Sequence, residues 1–201
     1  MRYPIPSVCS LLLALAAAAS PAAAQDEAVV GQLARLLALS DARQFDAAVL
    51  RQGLQSDDSR VRVQAALAAG RIGDGAAVPL LVPALHDSAT AVAAAAAFAL
   101  GLLKDPVAVE ALLATVRGTA PAAQGVRETE AVTALAKIGG AGDAAGPQAI
   151  RLVLEAAPPG QPVSPAVSAA ILESWRLGAR APETQLLAFT ENADAVVRWR
   201  A

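Results

Sequence analysis

The chain has 201 residues, of which 55% are hydrophobic but only 3% aromatic, and its formal net charge is −2. The apolar excess comes from 53 alanines and 26 leucines, which excludes a disordered chain and favours closely packed helices. One cysteine excludes a disulfide framework. Near-neutral charge argues against a nucleic-acid partner, which would require a surface rich in Lys and Arg.

The first 24 residues read as an address. Arg2 supplies a positive end, residues 11–19 form an apolar run, Ser20 and Pro21 break it, and Ala22 and Ala24 are small. This is the layout of a secretory signal peptide, with cleavage expected between Ala24 and Gln25. The run is about half the length of a membrane span, which takes about 20 apolar residues. Cys9 precedes the run, so it is no lipidation site and leaves with the signal. The mature chain, 25–201, is expected to be exported to a periplasm or secreted, with no stable membrane span. Its composition suits a GC-rich bacterial genome.

An opening pair of helices is expected over 26–39 and 45–54. A repeat of 31 residues follows. Val61, Ala66, Ala68, Gly70 and Asp74 fall on Val92, Ala97, Ala99, Gly101 and Asp105, and Leu67 and Ile72 fall on Phe98 and Leu103. The same shift carries Val78, Leu81, Val82 and Leu85 onto Val109, Leu112, Leu113 and Val116.

Each unit reads as a longer helix and a shorter one. The longer runs over 59–72, capped by Asp58 or Ser59 and stopped by Gly73, Asp74 and Gly75. The shorter runs over 76–85, with Val78, Leu81, Val82 and Leu85 on one face. Gly70 and Gly101 cost about 1 kcal/mol each in a helix interior, and their recurrence points to close helix approach.

The helix end recurs at Ala134 to Gly139, with a partner helix over 144–156, and again over 168–178, ending at Gly178. There Trp175 falls on the small position of Gly70, so either the alignment slips or the packing widens. The proline-rich stretch 157–165 is a loop. Asn192 to Arg198 resembles Asp57 to Arg62 and opens a fifth long helix. The expected units are 26–55, 56–86, 87–117, 122–156, 163–190 and an incomplete 191–201.

These residues resemble the HEAT-repeat family, in the short form also found in phycobilin-lyase-like repeats. The resemblance implies an all-α, right-handed α-solenoid of four to five helical hairpins, with the longer helices lining a concave face. It further implies that a turn Asp and the Arg of a Val-Arg pair tie units together. Asp58 with Arg62 and Asp194 with Arg198 fit those places, and Ala93 breaks the ladder in the second unit. The opening pair and the helix over 96–103 are also similar to the N-terminal arrays of exported bacterial proteins in which HEAT repeats precede a cyclophilin-type prolyl isomerase domain.

No catalytic constellation emerges. His86 is the only histidine and reads as a helix terminator, so neither a metal site nor a Ser-His-Asp triad is expected. The glycine clusters at 70–73 and 139–142 lack a preceding strand and a Gly-Lys-Ser/Thr ending, and read as helix-ending turns. Glu128 and Glu130, two apart on a helix, point in different directions and are expected on a solvated face. The helix over 91–103 carries no charge and reads as central and covered, the alternative being an Ala-rich outer face that receives an apolar partner.

Trp175 and Trp199 could be partner contacts, although gap-filling between helices is the favoured reading. Arg71, Arg176, Arg180, Arg198 and Arg200 read as dispersed. The expectation is therefore an interaction module with no catalysis, metal or cofactor, binding another protein or a further domain of its own chain through the concave face. The alternative is the non-catalytic part of a periplasmic peptidyl-prolyl isomerase, while a bilin-lyase activity rests on the shared repeats alone.

Overall fold

The computed structural model describes residues 21–118, 125–158 and 160–201. The expected signal segment lies outside them up to Ser20, as does the start of the third unit at 122–124. The bond between Ala24 and Gln25 falls near the beginning of the first described helix, α1 (Pro21–Ala42). This helix is longer at both ends than the expected 26–39.

Two layers of helices follow. The long ones are α1, α3 (Ser59–Ile72), α5 (Thr90–Leu103), α7 (Val126–Gly140), α9 (Pro165–Glu173) and the short last helix α11 (Ala195–Arg200). The second layer holds α2 (Ala47–Leu54), α4 (Val78–Ala84), α6 (Val109–Arg117), α8 (Ala145–Glu155) and α10 (Glu183–Phe189). Among the described residues there is no strand. Successive long helices pack side by side, and α4 and α6 each lean onto the long helix that follows.

Local chemistry sets the ends of these helices. The Asp58 carboxylate accepts from the Arg60 amide and caps α3, as Asp46 and Asp194 cap α2 and α11. Gly73 ends α3 in the left-handed region at φ 81°, which a residue without Cβ adopts freely. Asp74 and Asp105 then accept from the amides of Ala76 and Val107. Each opens a 3-10 turn, Gly75–Ala77 and Pro106–Ala108, that leads into α4 and α6. Helices α4 and α6 therefore start as 3-10 turns rather than directly as α-helix.

The core runs between the layers. Leu81, Leu85, Leu112, Leu135, Ile150 and Leu154 are buried there, each contributing about 2 kcal/mol of transfer free energy. Between long helices the contacts are small. A Cβ on Gly70 would lie 2.8 Å from both Cα and Cβ of Ala99, and one on Gly101 would lie 2.9 Å from those of Ala134. Alanine and glycine thus allow adjacent backbones to close up. Helix α5, flanked by α3 and α7, is buried from Val92 to Ala97 and from Ala99 to Gly101, as its lack of charge suggests.

Two expectations, at Glu128 and in the fourth unit, are corrected. The expected helix-ending turn at 139–142 is present: α7 stops at Gly140, and a Cβ on buried Gly139 just before that end would meet Leu177 at 2.7 Å and Pro147 at 2.8 Å. The positive φ of that turn, 114°, belongs to Gly142. Glu128 is 3% exposed rather than solvated: its carboxylate accepts from the Gly125 amide and from the Arg127 guanidinium, closing the first turn of α7. In the fourth unit the α-helix stops at Glu173 and continues as a 3-10 turn, Ser174–Arg180, with Gly178 at φ 55°. Buried Ser174 fills the small position, its hydroxyl donating to the Ala170 carbonyl. The alignment slips by one residue, and Trp175 is turned outward.

Candidate interaction surface

The positions expected to tie units together make different contacts. Asp58 pairs with Arg60 at 2.5 Å, and the Arg60 guanidinium and amide hold its carboxyl down at about 2. Arg62 reaches forward instead. Its Nε donates to Asp87 Oδ2 at 2.8 Å and its Nη2 to Asp87 Oδ1 at 3.0 Å, while Nη1 donates to the carbonyls of Ser56 and Asp57. These bonds hold the Asp87 carboxyl below its ordinary range.

Arg198 repeats half of this arrangement, donating from Nη1 to the carbonyls of Asn192 and Ala193. Asp194 caps its helix through the Val196 amide rather than pairing with Arg198. These groups bind the solenoid together and leave its outer faces to other side chains.

One such face is the outer side of the long helices. Along α3 it presents Arg60, Gln64, Leu67 and Arg71, and along α5 Ala91, Phe98 and Leu102. Along α7 it presents Glu130, Thr133 and Lys137, and along α9 Leu172, then Trp175 and Arg176 in the 3-10 turn. In the next two units the residue at the Arg71 position leans over the glycine of the preceding helix. A Cβ on Gly70 would touch Leu102 Cδ1 at 3.3 Å, and one on Gly101 would touch Lys137 Cδ at 3.3 Å. Gly140, at the end of α7, lies against the Arg176 backbone, whose carbonyl oxygen would be 3.0 Å from a Cβ there.

Stacking therefore aligns residues that look dispersed along the chain. Arg71, Leu102 and Lys137 take equivalent places near the C-terminal ends of the long helices, with Lys104 just beyond Leu102, and Arg176 continues the row of cations one residue past the equivalent place, which Trp175 takes. Lys137 Nζ sits 4.7 Å from the Phe98 ring centroid, and the Arg176 guanidinium sits 4.6 Å from that of Trp175. Arg176 also pairs with Glu173. Lys104, Lys137, Gly140, Trp175 and Arg176 enclose a shallow concavity of about 190 Å³.

The tryptophans do not fill gaps: Trp175 is 69% and Trp199 84% exposed. His86 is exposed at the end of α4, its amide donating to the Pro83 carbonyl. Among the described residues no three His, Cys, Asp or Glu gather as metal ligands, and no helix is long and apolar enough to cross a membrane. A wider cleft of about 680 Å³ lies between α1 and the end of α2, lined by Asp26, Gln32, Gln52, Gln55 and Asp57 among others.

No curated protein matches the chain. Residues 47–125 match the family model described as HEAT repeats, and the fold is an all-α solenoid of that type.

Proposed function

We propose that this protein is an exported interaction scaffold, without catalysis of its own, that binds another protein across the outer face of its long helices. The observation that carries the reading is the exposure of Leu102, Leu172 and Trp175 beside Lys104, Lys137 and Arg176 on one face. Tryptophan and arginine are the residues enriched where partners bind most strongly. Apolar side chains clustered on a solvated face mark contact surfaces more often than isolated ones do. Export rests on the sequence pattern of residues 2–24.

Cross-linking from a photoreactive residue at Leu172 or Trp175 tests the surface. A partner should be trapped from there and not from Val107, which is exposed on the turn ahead of α6 in the other layer. Equal trapping from both positions would defeat the assignment. Prolyl-isomerisation assays on the purified protein should show no turnover, and the exported form should begin at Gln25.

A further inference from the structure

On the basis of that scaffold reading, we infer that the row of cations on the long-helix face binds an extended acidic peptide segment, laid across the helices with carboxylates about three residues apart. The spacing follows from geometry. Packed helices stand about 8–10 Å apart, and a chain in the polyproline II form advances about 3.1 Å per residue with three residues per turn, so every third side chain returns to the same face and meets the next helix.

The charge is available for a ligand. Arg71, Lys104 and Lys137 have no carboxylate within ion-pair distance among the described residues, whereas Arg176 has Glu173. Cations near helix C-termini also complement the helix dipole. That applies to Arg71 and Lys137 and also to Lys104, which caps α5 at φ 55°. The equivalent residue one unit earlier is Gly73, and a side chain in the left-handed region costs about 1 kcal/mol or more. A charge is kept where glycine would fit without strain.

The apolar component has the same placement. Leu102 is 39%, Leu172 46% and Trp175 69% exposed, and they lie between or beside the cations. A peptide whose acidic residues alternate with small and apolar ones matches both features. A nucleic-acid strand fits less well, because the chain as a whole carries −2 and lacks a broad basic surface.

The test uses purified protein carrying Trp199→Phe, so that Trp175 is the fluorescent reporter. The probes are a synthetic peptide with glutamate at every third position, separated by serine and leucine, and the same composition with its glutamates clustered. The periodic peptide should change Trp175 emission and bind more tightly than the clustered one. Lys104→Glu and Lys137→Glu should each weaken it roughly tenfold, as expected for a charge opposed across an interface.

Lys104 is exposed, so its variant keeps the test valid if Lys137→Glu disturbs the contact with Phe98. Equal binding of the two peptides, indifference to both charge reversals, or tighter binding of an oligonucleotide would overturn the inference. A protein trapped at Trp175 but retained by both variants would overturn the acidic-peptide assignment and leave the scaffold reading standing.

Discussion

The guanidinium of Arg62 binds the carboxylate of Asp87, 25 residues onward, through two hydrogen bonds of 2.8 and 3.0 Å. Both side chains are about 15% exposed or less, so the pair is shielded from solvent and joins two successive units. Its third nitrogen holds the loop of its own unit.

Arg62→Ala should therefore destabilise the protein by about 2 kcal/mol, the usual scale for hydrogen bonds to charged groups. Urea denaturation gives the measurement. Arg60→Ala removes a pair at the surface, where such interactions contribute little, and should leave the midpoint unchanged. Equal effects of the two changes would show that the link between units carries no special weight.

Acid should weaken the same link. The Asp87 carboxyl is depressed in the folded protein from an ordinary value of 3.8, chiefly by its hydrogen bonds from Arg62. Its contribution is complete above that value and is lost as pH falls through the lower folded value. Thermal stability should decline as pH drops below about 4. Asp87→Asn should be less stable at neutral pH and show a flatter acid limb; an unchanged limb would remove Asp87 as a contributor.

Glycine-to-alanine changes should split by environment. At Gly31, in α1, a Cβ would meet nothing within 4 Å, so Gly31→Ala should stabilise by about 0.5–1 kcal/mol through helix propensity. At Gly70 the new Cβ would press on the Ala99 backbone at 2.8 Å. Overpacking there should outweigh propensity and cost about 1–3 kcal/mol. Two stabilising substitutions would mean that the long helices can separate without penalty.

Lys104→Gly should raise the thermal midpoint, since it relieves a left-handed residue worth about 1 kcal/mol, while Gly73→Ala at φ 81° should lower it. The same Lys104→Gly protein should lose affinity for the periodic acidic peptide. Stability and binding would then move in opposite directions at one residue.

The sequence made some of these features legible and hid others for physical reasons. Helix α3 was readable to the residue, because Asp58 and Gly73 act within a few positions of where they stand. The packing role of Gly70 and Gly101 was legible from their recurrence at one period. The Arg62–Asp87 bond was not, because it depends on how one unit stacks on the next, and a nearer carboxylate, Asp58, stood in the expected place.

Trp175 was misread for a related cause. A regular helix would carry it inward, and only the change to a 3-10 turn after Glu173 brings Ser174 into the contact instead. The role of Glu128 was present in the sequence as a carboxylate three residues after Gly125, a helix-start signal that spacing to Glu130 obscured. The row of cations needed the stack itself, since residues far apart in sequence share a face only once the helices are side by side.

Ala93 stands where Arg62 stands one unit earlier, so the loop around Asp87 has no guanidinium from its own helix and is gripped only from the preceding unit. This gives the array a direction. The first unit can hold its loop without the second, whereas the second relies on the first. Removing residues before 73 should loosen the amides around Asp87 to Ala89 towards hydrogen exchange, while removing those after 104 should leave the loop at 56–58 protected. The coupling energy across that junction is mutual, but only the later loop loses its guanidinium when its neighbour is removed.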